Sequence, residues 1–370
     1  KQNQLDGLSD DPDVLQQQLT ALAGGGPSGG QILVDGFNGN RLPPKASIQE
    51  IRINANPYSP ENDQPGGNII QIVTKPGSNT MHGQFYTIYN KEAFNSRSPL
   101  LAQSKRPPYK SNQFGANFSG AIKKNKSSFS LDLFHRRTTE NSFVYATDLD
   151  AALNPRQINQ SVLSPSTQYN FSPRVDYAIN PKNSLTVRYT LFHFGRENSG
   201  VGDFNLASRG YTTGTTQHSF QISETATLTA RLVMDSRVQF NRNHTSNDAD
   251  NRVPSISVPG AFVGGGAQIG QSGRISNDVE ISNSISYGRG RHTVRVGGRL
   301  RHSAWEDTSV NNFGGSYSFQ GGVGPALDGA NLPIAGTRVD LTALEVYRRT
   351  LLFQRQGMND AQIRALGGGA

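Results

Sequence analysis

Seven histidines are the first residues to examine for chemistry: His82, His135, His193, His218, His244, His292 and His302. None forms His-x-x-x-His or His-Glu-x-x-His, and the chain has no cysteine, so no metal site is expected. His292 and His302 share one strand face but stand about 33 Å apart at ~3.3 Å per residue. No Gly-x-Ser-x-Gly nucleophile elbow occurs. Asp6, Asp10, Asp11 and Asp13, and Asp248 with Asp250, lack the spacing of a calcium loop and read as solvated acids. Gly24-Gly25-Gly26-Pro27-Ser28-Gly29-Gly30 lacks the Gly-Lys-Ser/Thr ending of a phosphate loop and reads as a linker or turn. The chain is therefore expected to be no enzyme and to hold no cofactor. What chemistry remains is that of arginine. Arg174, Arg188, Arg237, Arg295, Arg299 and Arg301 stand at the polar positions of alternating segments.

Composition says what kind of scaffold could position them. Hydrophobic residues make up 34% of 370 and charged residues 17%. Averages for soluble domains are roughly 45–50% and 25%. Glycine, with 40 residues, and the small polar types take the difference. No run approaches ~18 apolar residues, which excludes a polytopic helical membrane protein. An all-helical soluble fold is disfavoured by so much Gly, Asn, Thr and Ser. What remains is an all-β chain with two chemically different faces. The net charge is +8, but its basic residues are dispersed, so no nucleic-acid partner is expected. The chain opens on Lys1 without a signal peptide and closes on Gly367-Gly368-Gly369-Ala370, and we read it as an internal piece of a longer protein.

The elements divide at about residue 80. Upstream, Val14, Leu15, Leu19 and Leu22 after Asp11-Pro12-Asp13 suggest a short helix. Gln31–Asp35, Ile48–Ile53 and Ile69–Val73 suggest three short strands. Downstream, period-2 alternation takes over: Leu185, Val187, Tyr189 and Leu191 alternate with Thr186, Arg188 and Thr190. About nine such strands are predicted, near 82–90, 111–122, 127–138, 168–179, 183–195, 216–228, 232–243, 275–287 and 291–303. Several reach the ~9–11 residues that a tilted strand needs to cross a membrane. Short turns, such as Lys123-Lys124-Asn125-Lys126 and Asn180-Pro181-Lys182-Asn183, alternate with long polar connections at 91–110, 139–167, 196–215 and 244–274. Transmembrane barrels have this asymmetry, with short periplasmic turns and long extracellular loops. Tyr169, Phe171, Phe192, Phe194, Phe220, Phe240 and Tyr287 lie toward strand ends, as interfacial girdles do. Glu224 falls in phase with Phe220 and Ile222, so a bulge or an interfacial depth is expected there. Residues 340–366, with Leu341, Leu344, Tyr347, Leu351 and Leu352, suggest a helical loop, either a lid or a packed insertion.

One segment looks familiar. Gly66-Gly67-Asn68-Ile69-Ile70-Gln71-Ile72-Val73-Thr74-Lys75 resembles the closing segment of a TonB-dependent transporter plug. Val34-Asp35-Gly36, Ile48-Gln49-Glu50-Ile51-Arg52-Ile53, Asn56-Pro57-Tyr58-Ser59-Pro60-Glu61, Lys75-Pro76-Gly77-Ser78-Asn79 and His82-Gly83-Gln84-Phe85 resemble the plug and first strand of the Oar-like subfamily. In that subfamily a carboxypeptidase-regulatory-like domain commonly precedes the plug. Asn95-Ser96-Arg97-Ser98-Pro99, Phe171-Ser172-Pro173-Arg174 and Arg295-Val296-Gly297-Gly298 resemble its barrel segments.

The resemblance implies an outer-membrane protein with residues 1–80 as the C-terminal part of a small α+β plug and 81–370 as the first part of a transmembrane antiparallel β-barrel. About nine of about 22 strands would be present. Gly66, Gly67, Ile70, Ile72, Thr74 and Lys75 would close the plug. The implied function is uptake of a bulky, unidentified substrate, energised by an inner-membrane TonB complex that engages an upstream segment. Outer-membrane lipid would be the other partner. Lumen-facing arginines would attract anionic cargo, pair with plug acids such as Glu50 and Glu61, or simply be solvated. The rival readings are a structural or adhesive surface β protein that binds through its long loops, and a soluble carbohydrate-binding β domain.

Overall fold

The computed structural model describes residues 7–9, 12–23, 31–39, 42–43, 45–53, 58–59, 68–96, 106–250 and 252–369. Gly24–Gly30, Glu61, Gly66 and Gly67 lie outside them.

A short helix, α1 (Pro12–Leu22), packs on a four-stranded sheet of β1 (Gln31–Val34), β2 (Phe37–Asn38), β3 (Ile48–Ile53) and β4 (Ile69–Thr74) in the order β2-β1-β4-β3. β1 and β4 run parallel; the other pairs are antiparallel. Leu15 and Leu19, one turn apart, are fully buried against Ile32, Val34, Ile48, Ile70 and Ile72. Val14 and Leu22, expected on the same face, are 42% and 62% exposed. Three turns of helix bury only one stripe. β4 is central, so Ile69, Ile70 and Ile72 are all buried.

The remaining strands are β5 (His82–Lys91), β6 (Lys110–Lys123), β7 (Ser127–Leu149), β8 (Pro155–Asn180), β9 (Asn183–Ser199), β10 (Tyr211–Thr229), β11 (Leu232–Asp248), β12 (Ser255–Val258), β13 (Phe262–Gly265), β14 (Ser272–Arg289), β15 (His292–Thr308), β16 (Ser316–Ser318), β17 (Gly322–Gly324) and β18 (Val339–Leu341). Nine of them form one antiparallel meander, β5 to β11 followed by β14 and β15. Its strands lie where alternation predicts them, because a wall between lipid and a polar lumen imposes a strict two-residue period.

Two expectations change. The connection expected at 139–167 is a continuation of β7 and β8, paired residue by residue from Thr139↔Pro165 to Leu149↔Pro155. These strands of 23 and 26 residues far exceed what crosses a membrane. Their outer halves have no lipid face, so they carry no clean alternation. Phe192 and Phe194 are not girdle residues. They share the parity of Arg188 and Thr190 on β9, and Phe192 is only 4% exposed. Glu224 does face outward, opposite Leu185 and Ser236, with no register shift there. It lies five residues before Thr229, at the end of β10, so depth rather than a bulge removes the conflict.

The long connections interlock into a second core. Val144 and Ala146 of the β7 extension bury against Val201, Val258, Ala261, Phe262 and Ala343. Backbone bonds tie the pieces together: Tyr145 N–H donates to Asp203 O, Thr147 N–H to Ala261 O and Phe319 N–H to Ser257 O, at 2.8, 3.0 and 2.9 Å. The single expected helix is two, α2 (Ala343–Arg355) and α3 (Asp360–Ala365), separated at Gly357, whose φ of +76° suits glycine. Thr342 caps α2, accepting from Glu345 N–H at 3.2 Å, and Asn359 with Gln362 forms a capping box on α3. Of the two roles expected for this segment, α2 fits the packed insertion.

Glu345 gives this module a pH dependence. Burial opposes its charge, but hydrogen bonds from Arg348 and Arg349, at 2.6 and 2.8 Å, prevail and hold its carboxyl below the ordinary range. A lowered folded pKa supplies stability above the unfolded pKa, and that stability is lost as pH falls through the folded value. Protease resistance of the outer loops is therefore expected to fall in acid below about pH 4. Glu345→Gln should be less resistant at neutral pH and should show less of that fall. An unchanged acid profile in the variant would contradict the assignment.

Candidate functional site

The β1–β2 turn brings the small sheet to the inner face of the nine-stranded wall. Asp35 (φ +52°) and Gly36 (φ +82°) make a two-residue hairpin turn with both residues left-handed. The Asp35 carboxylate accepts from Thr74 N–H at 2.8 Å and from Thr74 Oγ1 at 2.7 Å, which ties the turn to the end of β4. It also faces two arginines of the wall, Arg188 at 2.9 Å and Arg174 at 3.6 Å. Both arginines donate to Thr74 Oγ1 as well. Arg174 and Arg188 lie directly opposite each other on β8 and β9. Like charges so placed repel unless a counter-ion intervenes. Asp35 is one counter-ion. Asp176 is a second, accepting from Arg174 Nη2 at 2.7 Å, from Thr186 Oγ1 at 2.7 Å and from Gly77 N–H at 3.2 Å, and the buried Asp132 of β7 also attracts both arginines. The quartet is formally neutral, and the arginine side chains are only 11% and 13% exposed.

Three further contacts fix the same hairpin. A Cβ on Gly36 would lie 2.8 Å from Arg237 Cζ. Asn38 Nδ2 donates to Glu280 at 3.3 Å, and Gln239 Nε2 donates to Asn38 O at 3.2 Å. Glu280 is held in turn by Arg301 at 2.6 Å and Arg299 at 3.4 Å. Gly36→Ala is expected to combine left-handed strain with this contact, at about 1–3 kcal/mol. Limited proteolysis of the small sheet in intact membranes should show faster cleavage. Arg237→Ala should relieve part of the effect.

All six arginines therefore project from the inner face, but with different partners. Arg174 and Arg188 meet Asp35, Arg237 meets Gly36, and Arg299 and Arg301 meet Glu280. Arg295 pairs with Asp235 at 3.7 Å. Pairing with Glu50 does not occur. Glu50 binds Arg52 of its own strand at 2.9 Å, and that hydrogen bond holds its carboxyl below the ordinary range. Ile70 and Ile72 are core residues, Thr74 is the node of the quartet, and Lys75 N–H donates to Ser47 O at 2.8 Å. Sequence reasoning misses Asp35 as a site residue. Its only local signal is an Asp-Gly pair after a strand, which predicts a turn and not a charge partner. Beside the quartet lies a cavity of about 330 Å³, lined by Asn38, Asp132, Gln168, Asn170, Arg188 and Gln221 among others. Among the described residues no group of three or more His, Asp or Glu could hold a metal ion.

A sheet with an apolar outer face and a polar inner face that receives a second small domain defines an outer-membrane barrel wall. Residues 73–154 and 144–332 match the outer membrane beta barrel domain family, and the chain belongs to it. Its location is the outer membrane. No curated protein matches the chain. Among solved structures it is similar to the outer membrane transporter YddB from Escherichia coli, with 8% identity and a TM-score of 0.57, over 84% of this chain and 45% of that one. It is also similar to the siderophore receptor PirA from Acinetobacter baumannii, with 15% identity and a TM-score of 0.54, over 76% and 41%. A third is the ferric enterobactin receptor PfeA from Pseudomonas aeruginosa, with 11% identity and a TM-score of 0.51, over 84% and 45%. At these identities the likeness is one of fold. The chain spans less than half the length of each of these proteins.

Proposed function

We propose that the protein is a TonB-dependent outer-membrane receptor, in which residues 1–80 are the C-terminal part of the plug and 81–370 the first part of the barrel. Its function is uptake of a bulky substrate, energised by the inner-membrane TonB complex. The observation that carries this reading is the seating of the small sheet on the inner wall through Asp35, Arg174 and Arg188. An interface built from ion pairs and amides, with a cavity beside it, can be held closed and yet released without exposing an apolar core. The fold likeness to a transporter and to siderophore receptors supports the same reading. The Oar-like assignment rests on the plug motifs around Val34-Asp35-Gly36 and Ile69–Lys75.

The interlocked outer loops favour a second reading, an adhesive surface protein, because a rigid module can present a fixed binding face. One comparison separates the two. The full-length protein should bind the periplasmic domain of TonB, and cells lacking either protein should share one nutrient-uptake defect. Attachment to surfaces that needs this protein but not TonB would support the adhesive reading instead.

A further inference from the structure

The cavity beside the quartet has a chemistry of its own. It lies on the loop side of the β1–β2 hairpin. Arg188, which meets the hairpin, is five residues from the inner end of β9 at Asn183. Thr190 and Phe192, which line the cavity, are seven and nine residues from that end. The cavity is thus approached from the side of the long loops. Eight of its 26 lining residues are amides and six carry hydroxyls, so most of its wall is polar without charge. One rung of the wall sets ring against amide: Phe134↔Asn170↔Phe192↔Gln217↔Asn243 runs across β7 to β11. Among the described residues, the side chains of Asn170, Gln217 and Gln221 have no hydrogen-bond partner, and Asn243 Oδ1 is buried without one. Polar groups kept unpaired in a partly closed site are costly unless a ligand uses them.

Charge says what the ligand is not. The arginines nearest the small sheet are engaged, Arg174 and Arg188 by Asp35, and Arg299 and Arg301 by Glu280. From the cavity outward to the level of Arg196, inner positions carry Arg136, Arg196 and Arg274 against Asp132, Asp278 and Asp307. The approach therefore bears no net charge, and an anionic chelate would meet as many carboxylates as guanidiniums. Arg136 is further occupied, donating to Gln168 Oε1 at 2.7 Å and lying 6.0 Å from the centre of the Phe134 ring. A neutral molecule rich in hydroxyls suits this wall better. Each amide offers donors and an acceptor side by side, and a hydroxyl must both donate and accept. The rings of Phe134 and Phe192 offer apolar cover to the C–H faces of a sugar on either side of Asn170. A cavity of ~150 Å³ holds benzene, so about 330 Å³ holds roughly two six-membered rings.

We propose that the substrate is a neutral oligosaccharide whose end enters this cavity, where Asn170, Gln217 and Gln221 bind its hydroxyls and Phe134 and Phe192 cover its rings. This takes the protein as the receptor proposed above and names its substrate class. The test is the binding of neutral gluco-, xylo-, manno- and galacto-oligosaccharides to the full-length protein in detergent, with ferric enterobactin and tetraglycine as comparisons. At least one oligosaccharide is expected to bind, and raising the salt should leave its affinity unchanged. Asn170→Ala/Gln217→Ala should bind it at least roughly tenfold more weakly, through lost hydrogen bonds. Should that variant fail to assemble, Gln217→Ala alone makes the comparison. Lys124→Gln, on the β6–β7 turn, should bind as the wild type does. Binding of no oligosaccharide, tighter binding of ferric enterobactin or tetraglycine, an affinity that falls with salt, or full binding by the amide variants overturns the proposal. Binding in detergent requires no TonB, so these outcomes leave the receptor reading standing, and a protein that binds sugar but not TonB would overturn that reading alone.

Discussion

Asp35→Asn is expected to loosen the small sheet from the wall and let large hydrophilic molecules leak through the outer membrane. The reason is the pair of arginines it leaves behind. Arg174 and Arg188 oppose each other on β8 and β9, nearly excluded from water, and without Asp35 Arg174 keeps Asp176 while Arg188 keeps only the attraction of Asp132. Removing one partner of a buried ion pair costs about 3–5 kcal/mol, because the other charge stays behind uncompensated. The amide introduced by Asp35→Asn would still accept one hydrogen bond from Thr74, so the turn itself should survive. The measurement is the sensitivity of whole cells to an antibiotic too large for general porins, at matched levels of protein in the membrane. Sensitivity should rise several-fold. Asp35→Asn combined with Arg188→Gln removes both members of one pair and should leak less than Asp35→Asn alone. Equal sensitivity in the wild type and both variants would show that the quartet does not hold the sheet.

Phe262→Ala is expected to have the second large effect, confined to the outer loops. Phe262 is 3% exposed and meets the Tyr347 ring edge-on at 5.5 Å, and its neighbours Val258 and Ala261 belong to the same core. A buried phenylalanine truncated to alanine costs about 3–5 kcal/mol. This core joins four separate connections, so its loss should release all of them. Protease added to whole cells should cut within 200–210, 252–270 and 309–342 in the variant and spare the wild type. The barrel should keep its resistance to unfolding by detergent without heating. Protection equal to wild type would mean that the loops do not depend on this core.

The wall was legible in the sequence because its environment is periodic. Leu185 to Leu191 must face lipid at every second residue, and no tertiary contact can override that. The β7–β8 extension was not legible for the converse reason. Residues 139–167 stand clear of the lipid, so neither face is obliged to be apolar, and Pro155 and Pro165 read as breakers although strand starts and special positions tolerate them. Phe192 misled because an aromatic residue near a strand end resembles a girdle, while its parity with Arg188 already assigned it to the inner face. Alternation alone put the arginines on one face of the wall. Their partners were not legible. Asp35 lies 139 positions before Arg174 in the chain, and only the fold brings the two within 3.6 Å. The outer core was hidden for the same reason. Val144, Phe262 and Ala343 come from segments that each read as polar connection or isolated helix.

The central claim is that the small sheet occludes the barrel, and the conductance of the full-length protein in a planar bilayer tests it most directly. The intact protein is expected to be closed or nearly so. A variant lacking residues 12–75 should open a large, steady conductance, and Asp35→Asn should show intermittent openings toward that level. Equal conductance in the intact and deleted proteins would contradict the claim, and the small sheet would then be a domain that the barrel merely carries.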